Sequence, residues 1–161
     1  MHDYVLVLPL DSLHVGDSFS RQNWPLHVTI LGNFRTNARV DDLARTLQST
    51  LESQQSIAIG PVVVGEQALF GPGGDVVVNV VDDESQQLAA LHQLLLGSID
   101  EYIELLDAQH ALSGYRPHVT AVASARVHRG DRIELRSLAL VDLDWIRDDS
   151  LTRVVWVTEL R

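Results

Sequence analysis

The sequence predicts an α+β fold, in which antiparallel strands form the sheets and helices pack outside them. Three observations carry this prediction. Short β-branched and apolar runs follow one another in groups, in the order strand, strand, helix, strands, helix, strands. Only two segments place apolar residues at helical spacing. No strand–helix–strand unit repeats along the chain, which argues against a doubly wound parallel sheet.

Taken in order, residues 4–8 (Tyr-Val-Leu-Val-Leu) read as a strand. Residues 9–25 are polar and irregular and read as a loop long enough to be mobile. Residues 26–31 form a second strand, closed by Gly32 and Asn33. Val40, Leu43, Ala44, Leu47 and Leu51 predict an amphipathic helix over 40–53, with Asp41 and Asp42 in the first turn, where the helix dipole favours anions. Residues 57–64 read as a strand, and 67–70 with 76–81 as a hairpin. The stretch 71–75 (Gly-Pro-Gly-Gly-Asp) is its turn; it lacks the Lys-Ser/Thr ending and following helix of a phosphate-cradling loop. Leu88, Leu91, Leu95, Ile99, Tyr102, Ile103 and Leu106 predict a long helix over 84–107 despite Gly97, and Asp82, Asp83 and Ser85 offer capping side chains near its start. Residues 109–116 read as a loop. Residues 118–123, 133–143 and 153–160 are the remaining strands, the last two separated by Asp148, Asp149 and Ser150. No segment marks a linker, so the expectation is a single domain over 1–161.

Composition narrows the function. There is no cysteine, so disulfides and thiolate metal sites are excluded. The start of the chain lacks a basic-then-apolar leader, and no apolar run approaches the ~20 residues of a membrane span. A soluble, cytoplasmic protein without a membrane partner is expected. The net charge of −10 repels polyanions at long range, so long nucleic acid is a poor partner, whereas a small nucleotide or short oligonucleotide can be held by a few local groups. All 12 basic residues are Arg, and five of them fall between Arg116 and Arg136, forming either a local basic patch or a solvated strand face.

One internal echo stands out. Leu26-His27-Val28-Thr29-Ile30 resembles Pro117-His118-Val119-Thr120-Ala121, each triplet follows a Pro closely, and each enters a predicted strand. Residues i and i+2 of a strand share a face, so His27 projects with Thr29, His118 with Thr120, and Val28 and Val119 go to the other side. None of the other five His carries Ser or Thr two positions on. If the two strands lie together, two imidazoles and two hydroxyls face one cleft. Such a set suits phosphodiester hydrolysis: one imidazole activates the attacking oxygen, the other protonates the leaving oxygen, and the hydroxyls donate to the non-bridging oxygens. The chemistry requires no metal, and no cofactor is expected.

Two copies of His-apolar-Thr roughly a hundred residues apart resemble the motif pair of the 2H phosphoesterase superfamily, which includes LigT-like 2'-5' RNA ligases and cyclic phosphodiesterases. The resemblance implies a bilobal fold, with two pseudo-symmetric antiparallel sheets lining a central cleft and helices outside. It implies that His27 and His118 are the acid and base and that Thr29 and Thr120 anchor the phosphate. It points to a 2',3'-cyclic phosphate of RNA or a nucleotide as substrate.

Weaker candidates surround the triplets. Trp24 and Tyr115 each lie three residues before a motif His and are either base-stacking aromatics or strand-edge and core residues. Arg116 is either a phosphate partner or a surface residue. Trp145 and Trp156 read as core, and His14 and Arg21 sit in the early loop, where they can close over a substrate. On the residues alone, rival readings stay open: an enzyme acting on 2'-5' linked or cyclic oligonucleotides, a nucleotide-binding module without turnover, a metal-dependent hydrolase, and a protein with no chemistry. Which His is acid and which is base, and the oligomeric state, are not readable.

Overall fold

The apolar stripe over residues 40–53 forms the first helix, α1 (Val40–Ser53), and buries Leu43, Leu47 and Leu51 on one face. In the computed structural model, which describes residues 1–54, 58–146 and 151–160, the other elements in chain order are β1 (His2–Pro9), β2 (Ser18–Ser20), β3 (His27–Thr36), β4 (Val62–Phe70), β5 (Val76–Asp82), α2 (Gln87–Ile99), β6 (Glu104–Leu105), β7 (His118–Thr120), β8 (Arg132–Ile133), β9 (Ser137–Ile146) and β10 (Leu151–Glu159). Every strand pairing is antiparallel, in the order β2-β10-β9-β1-β3-β7-β5-β4-β8, with β6 against β3.

The path divides into two lobes. One is β2, β10, β9, β1 and β3; the other is β7, β5, β4 and β8. They join where β3 meets β7, through the single pair Val28↔Val119, so the two sheets of the expected bilobal fold run on as one. One face of the joined sheet packs against α1 and α2. There Leu6, Leu8, Val28, Ile30, Val64 and Val119 meet Leu43, Leu47, Leu88 and Leu95 in one apolar core. On the other face of the first lobe, Val5, Val7, Ala139, Val141 and Val154 form a second core, covered by Leu13, Phe19 and Trp24. Residues 9–25 are therefore not a bare loop. They contain β2, which pairs with β10, and three apolar side chains that press the segment onto the sheet.

Several boundaries differ from the pattern reading, each for a visible reason. The long helix stops at Ile99 rather than 107. Residues 100–102 make a 3-10 turn, and β6 then pairs Leu105 with Phe34 and Glu104 with Arg35. The Thr36 hydroxyl donates to the Tyr102 carbonyl at 2.6 Å, and Ile103 and Leu105 reach the same core from extended backbone, so the apolar stripe continues without a helix. β3 runs past Gly32 to Thr36 because Phe34 is fully buried. Residues 62–70 are one strand, irregular between Val64 and Gln67. There Gly65 lies so close to β5 that a Cβ would stand 2.9 Å from the Val80 carbonyl oxygen. The expected strand over 118–123 ends at Thr120, and that over 133–143 divides into β8 and β9. The turn at 71–75 closes the β4–β5 hairpin as expected, with Gly71 (φ 89°) and Gly74 (φ 62°) in the left-handed region. Ile57, residues 148–150 that separate the last two expected strands, and the side chain of Trp145 lie outside what the structure describes; Trp156 is half-buried against the larger core.

Asp83 caps α2. Its carboxylate accepts from the Leu88 amide (3.0 Å) and the Ala89 amide (3.0 Å), satisfying donors that the helix itself leaves open. The residue at the N-cap position, Gln86, is left-handed (φ 54°) and gives no side-chain bond. Asp83→Ala is expected to cost about 1–2 kcal/mol, typical of a lost helix cap, read as a lower urea midpoint at unchanged slope.

Candidate active site

The pairing Val28↔Val119 decides what the two triplets present. Both valines are buried against the helices. By strand alternation His27 and Thr29 on β3, and His118 and Thr120 on β7, project to the opposite face. Antiparallel register sets His27 beside Thr120 and Thr29 beside His118. Directly opposed residues of such a pair stand ~4.5–5.5 Å apart at Cβ and diagonal ones ~7–8 Å. The two imidazoles therefore sit on one diagonal of a four-residue square and the two hydroxyls on the other. Flanking rows belong to the same face: Pro9 and Val7 on β1, Val78 and Val80 on β5. All four central residues are half-buried.

Each imidazole is anchored in the same way. The His27 Nδ1 hydrogen donates to the Pro25 carbonyl (2.8 Å), and that of His118 to the Arg116 carbonyl (2.8 Å). A carbonyl can only accept, so Nδ1 carries the proton in both rings. Nε2 is then free to take a proton when the ring is neutral, or to give one when it is charged. Each ring also rests on an aromatic. Trp24 lies 5.1 Å from His27 between centroids, and Phe70 lies 4.6 Å from His118, edge to face.

Burial pushes both imidazole pKa values below the ordinary 6.5. For His27 desolvation is the main cause, opposed by the bond to Pro25 and assisted by the nearby His118. For His118 it is desolvation again, opposed by the bond to Arg116 and assisted by the neighbouring His110 and the Arg116 guanidinium. Both rings are thus neutral near pH 7.

The surrounding candidates separate. Trp24 joins Phe19 (5.0 Å) over the second core and touches His27, beside the square. Arg116 is exposed, with its guanidinium 5.3 Å from the Phe70 ring centroid. Tyr115 stands elsewhere than a base-stacking aromatic would. It packs on the helix side of the sheet, its ring 4.3 Å from and parallel to His92, its hydroxyl donating to the Thr29 carbonyl at 2.9 Å. His14 is exposed and bonded to Asp17; Arg21 donates to the Leu143 carbonyl and faces Asp144, so neither reaches the square. Of the other Arg in the late cluster, three have acidic neighbours. Arg129 faces Glu66 and Arg136 pairs with Glu134, while Arg132 lines a depression shared with Asp11 and Glu134. Among the described residues no three His, Cys, Asp or Glu side chains converge as metal ligands.

Two site features escaped the sequence reading. Phe70 is 48 positions before the His it contacts, and only the hairpin brings it there. The Ser124 hydroxyl donates to the Asn23 side-chain oxygen (2.9 Å), linking the segment before the first triplet to the one after the second. This link lies toward the His27 and Thr120 side of the square.

Comparison with known proteins follows the same lines. A family model described as the 2'-5' RNA ligase superfamily matches residues 10–147. No curated protein sequence matches the chain. Among solved structures, one described as a phosphoesterase superimposes with a TM-score of 0.61 at 12% identity, covering 99% of this chain and 98% of that one. LigT of E. coli in complex with 3'-AMP gives 0.59 at 14% identity, and in complex with ATP 0.57 at 11%, each covering 99% of this chain and 97% of the other. At these identities the likeness is one of fold. No helix among the described residues is long and apolar enough to cross a membrane.

The lowered pKa values fix a pH dependence. A His whose folded pKa is depressed binds fewer protons folded than unfolded below pH 6.5, so it destabilises the fold as the pH falls through 6.5 and its stabilising neutrality is complete above it. Histidine ring NMR should show His27 and His118 titrating below 6.5, and unfolding free energy should be flat above that pH and fall beneath it. An anion bound beside both rings, such as inorganic phosphate, should move both midpoints upward.

Proposed function

The chain belongs to the 2'-5' RNA ligase superfamily, and from that footing we propose that it is a metal-independent phosphodiesterase for small nucleotide-type substrates. The expected substrate is a 2',3'-cyclic phosphate on a nucleotide or at an RNA end. The carrying observation is the register Val28↔Val119, which puts two anchored imidazoles and two threonines at adjacent positions on one face of the sheet. Nucleotides bound to proteins of the same fold, 3'-AMP and ATP on LigT of E. coli, support the substrate class.

Each part of the proposed reaction has a candidate group in the square. One neutral imidazole takes a proton from water at Nε2 as the water oxygen bonds to phosphorus. The bond from phosphorus to one ribose oxygen breaks, and the second imidazole, protonated at Nε2, gives its proton to that oxygen. The two rings exchange charge states in the process, and solvent resets them. Because both rings are neutral when empty, the acid must gain its proton as the anionic substrate arrives, and the phosphate charge favours that gain. The hydroxyls of Thr29 and Thr120 donate to the non-bridging oxygens as charge grows there. With a ribose hydroxyl in place of water as the attacking group, the same steps open the cyclic phosphate by joining two nucleotides, the broken bond again running from phosphorus to one ring oxygen, which takes the proton; the matching family description favours a 2'-5' linkage as the second substrate to test.

His27→Ala and His118→Ala should each lower turnover by about 100 to 10,000-fold, the usual worth of one positioned acid or base, with circular dichroism unchanged. Hydrolysis in excess chelator should match that without it. Undiminished turnover by both variants would sink this mechanism.

A further inference from the structure

β3 has a strand partner on its β7 side at Val28 and regains one at Phe34, where β6 begins. Between them the strand is irregular. Val7 pairs with Thr29 and Leu6 with Leu31, so Ile30 is an extra residue, a bulge, immediately after the first triplet. Between Val28 and Phe34, therefore, β3 has no registered partner on its β7 side and a bulge on its β1 side, and buried carbonyls along such a stretch must be satisfied in some other way. Two side chains do so. The Tyr115 hydroxyl donates to the Thr29 carbonyl (2.9 Å), and His92 Nδ1 donates to the Ile30 carbonyl (2.6 Å). The two rings stack on each other at 4.3 Å, nearly parallel (3°).

His92 is 1% exposed and both its nitrogens are committed, since Nε2 accepts the Leu112 amide at 2.9 Å. Leu112 and Tyr115 belong to the segment that leads directly into the second triplet. The amide bonded to His92 is that of a left-handed residue (Leu112, φ 53°), so the turn is itself held by that bond. The chain approaching His118 is thereby tied to the peptide units that aim Thr29. Tyr115 reaches the square only through the backbone carbonyl of Thr29, from the helix side of the sheet, and neither ring is given a part in the proton transfers.

We infer that His92 and Tyr115 are positioning residues: a stacked pair that replaces a strand at the bulge and sets Thr29 of the first triplet against His118 of the second. This deepens the phosphodiesterase reading and rests on it. A displacement of about 1 Å at such a site can cost on the order of 100-fold in rate, so loss of one of the two bonds should cost roughly 10-fold.

Tyr115→Phe keeps the ring and the stacking and removes only the hydroxyl. It should fold, lower kcat on a 2',3'-cyclic nucleotide by roughly 10-fold with KM nearly unchanged, and weaken binding of inorganic phosphate measured through the His27 and His118 ring signals. His92→Asn, whose amide can still donate to the Ile30 carbonyl, should retain more of both properties than His92→Leu. Lower thermal stability in Tyr115→Phe with wild-type kcat and wild-type phosphate affinity would overturn the inference, leaving the pair a packing feature. A base-stacking Tyr115 would instead show itself as a raised KM that varies with the nucleobase, which also overturns it. If the wild-type protein hydrolyses none of the substrates, the phosphodiesterase reading fails; the phosphate titration still decides whether Tyr115 positions the square.

Discussion

One backbone pairing, Val28 against Val119, holds the rest of the arrangement together. It is the only registered pair between β3 and β7, and it is where one lobe becomes the other. Because a one-residue slip turns every side chain of a strand to the other face, this register is coupled to the core. Slip either strand by one, and a valine leaves the apolar core while a histidine enters it. The burial of Val28 and Val119, both essentially complete, therefore enforces the orientation of the four polar residues beside them. Stability and site geometry are the same constraint seen from the two faces of the sheet.

A seam of one pair is short, and the structure reinforces it without lengthening it. The Asn23–Ser124 bond ties the lobes on the side of the square, and His92 with Tyr115 ties them on the side of the helices. The two triplets are alike in their anchoring, Nδ1 to the carbonyl two residues back, but unlike in their setting. His27 lies beside Trp24 at the margin of an apolar core. His118 lies against Phe70 and under the charge of Arg116.

The parts that were legible in the sequence are those with short-range causes. Leu43, Leu47 and Leu51 return at helical spacing and the helix starts at Val40; the glycines at 71 and 74 mark a turn that needs positive φ; the two triplets show their alternation within three residues. The illegible parts depend on partners distant in the chain. The stripe from Leu88 to Leu106 keeps helical spacing beyond Ile99, yet β3 needs an edge partner there and the backbone extends to provide it. Nothing near Phe70 announces a contact with His118, and nothing near Tyr115 announces a carbonyl 86 residues away. His92, one more residue on an apolar helix face in the sequence, gains its role only from the bulge at Ile30.

The central claim is that one phosphate is held by all four residues across this seam. A crystal structure with inorganic phosphate bound tests it most directly. The account predicts one phosphate with Nε2 of His27, Nε2 of His118 and the hydroxyls of Thr29 and Thr120 each within about 3.2 Å of its oxygens. A phosphate held by one triplet alone, or seated elsewhere while the square stays empty, would contradict it.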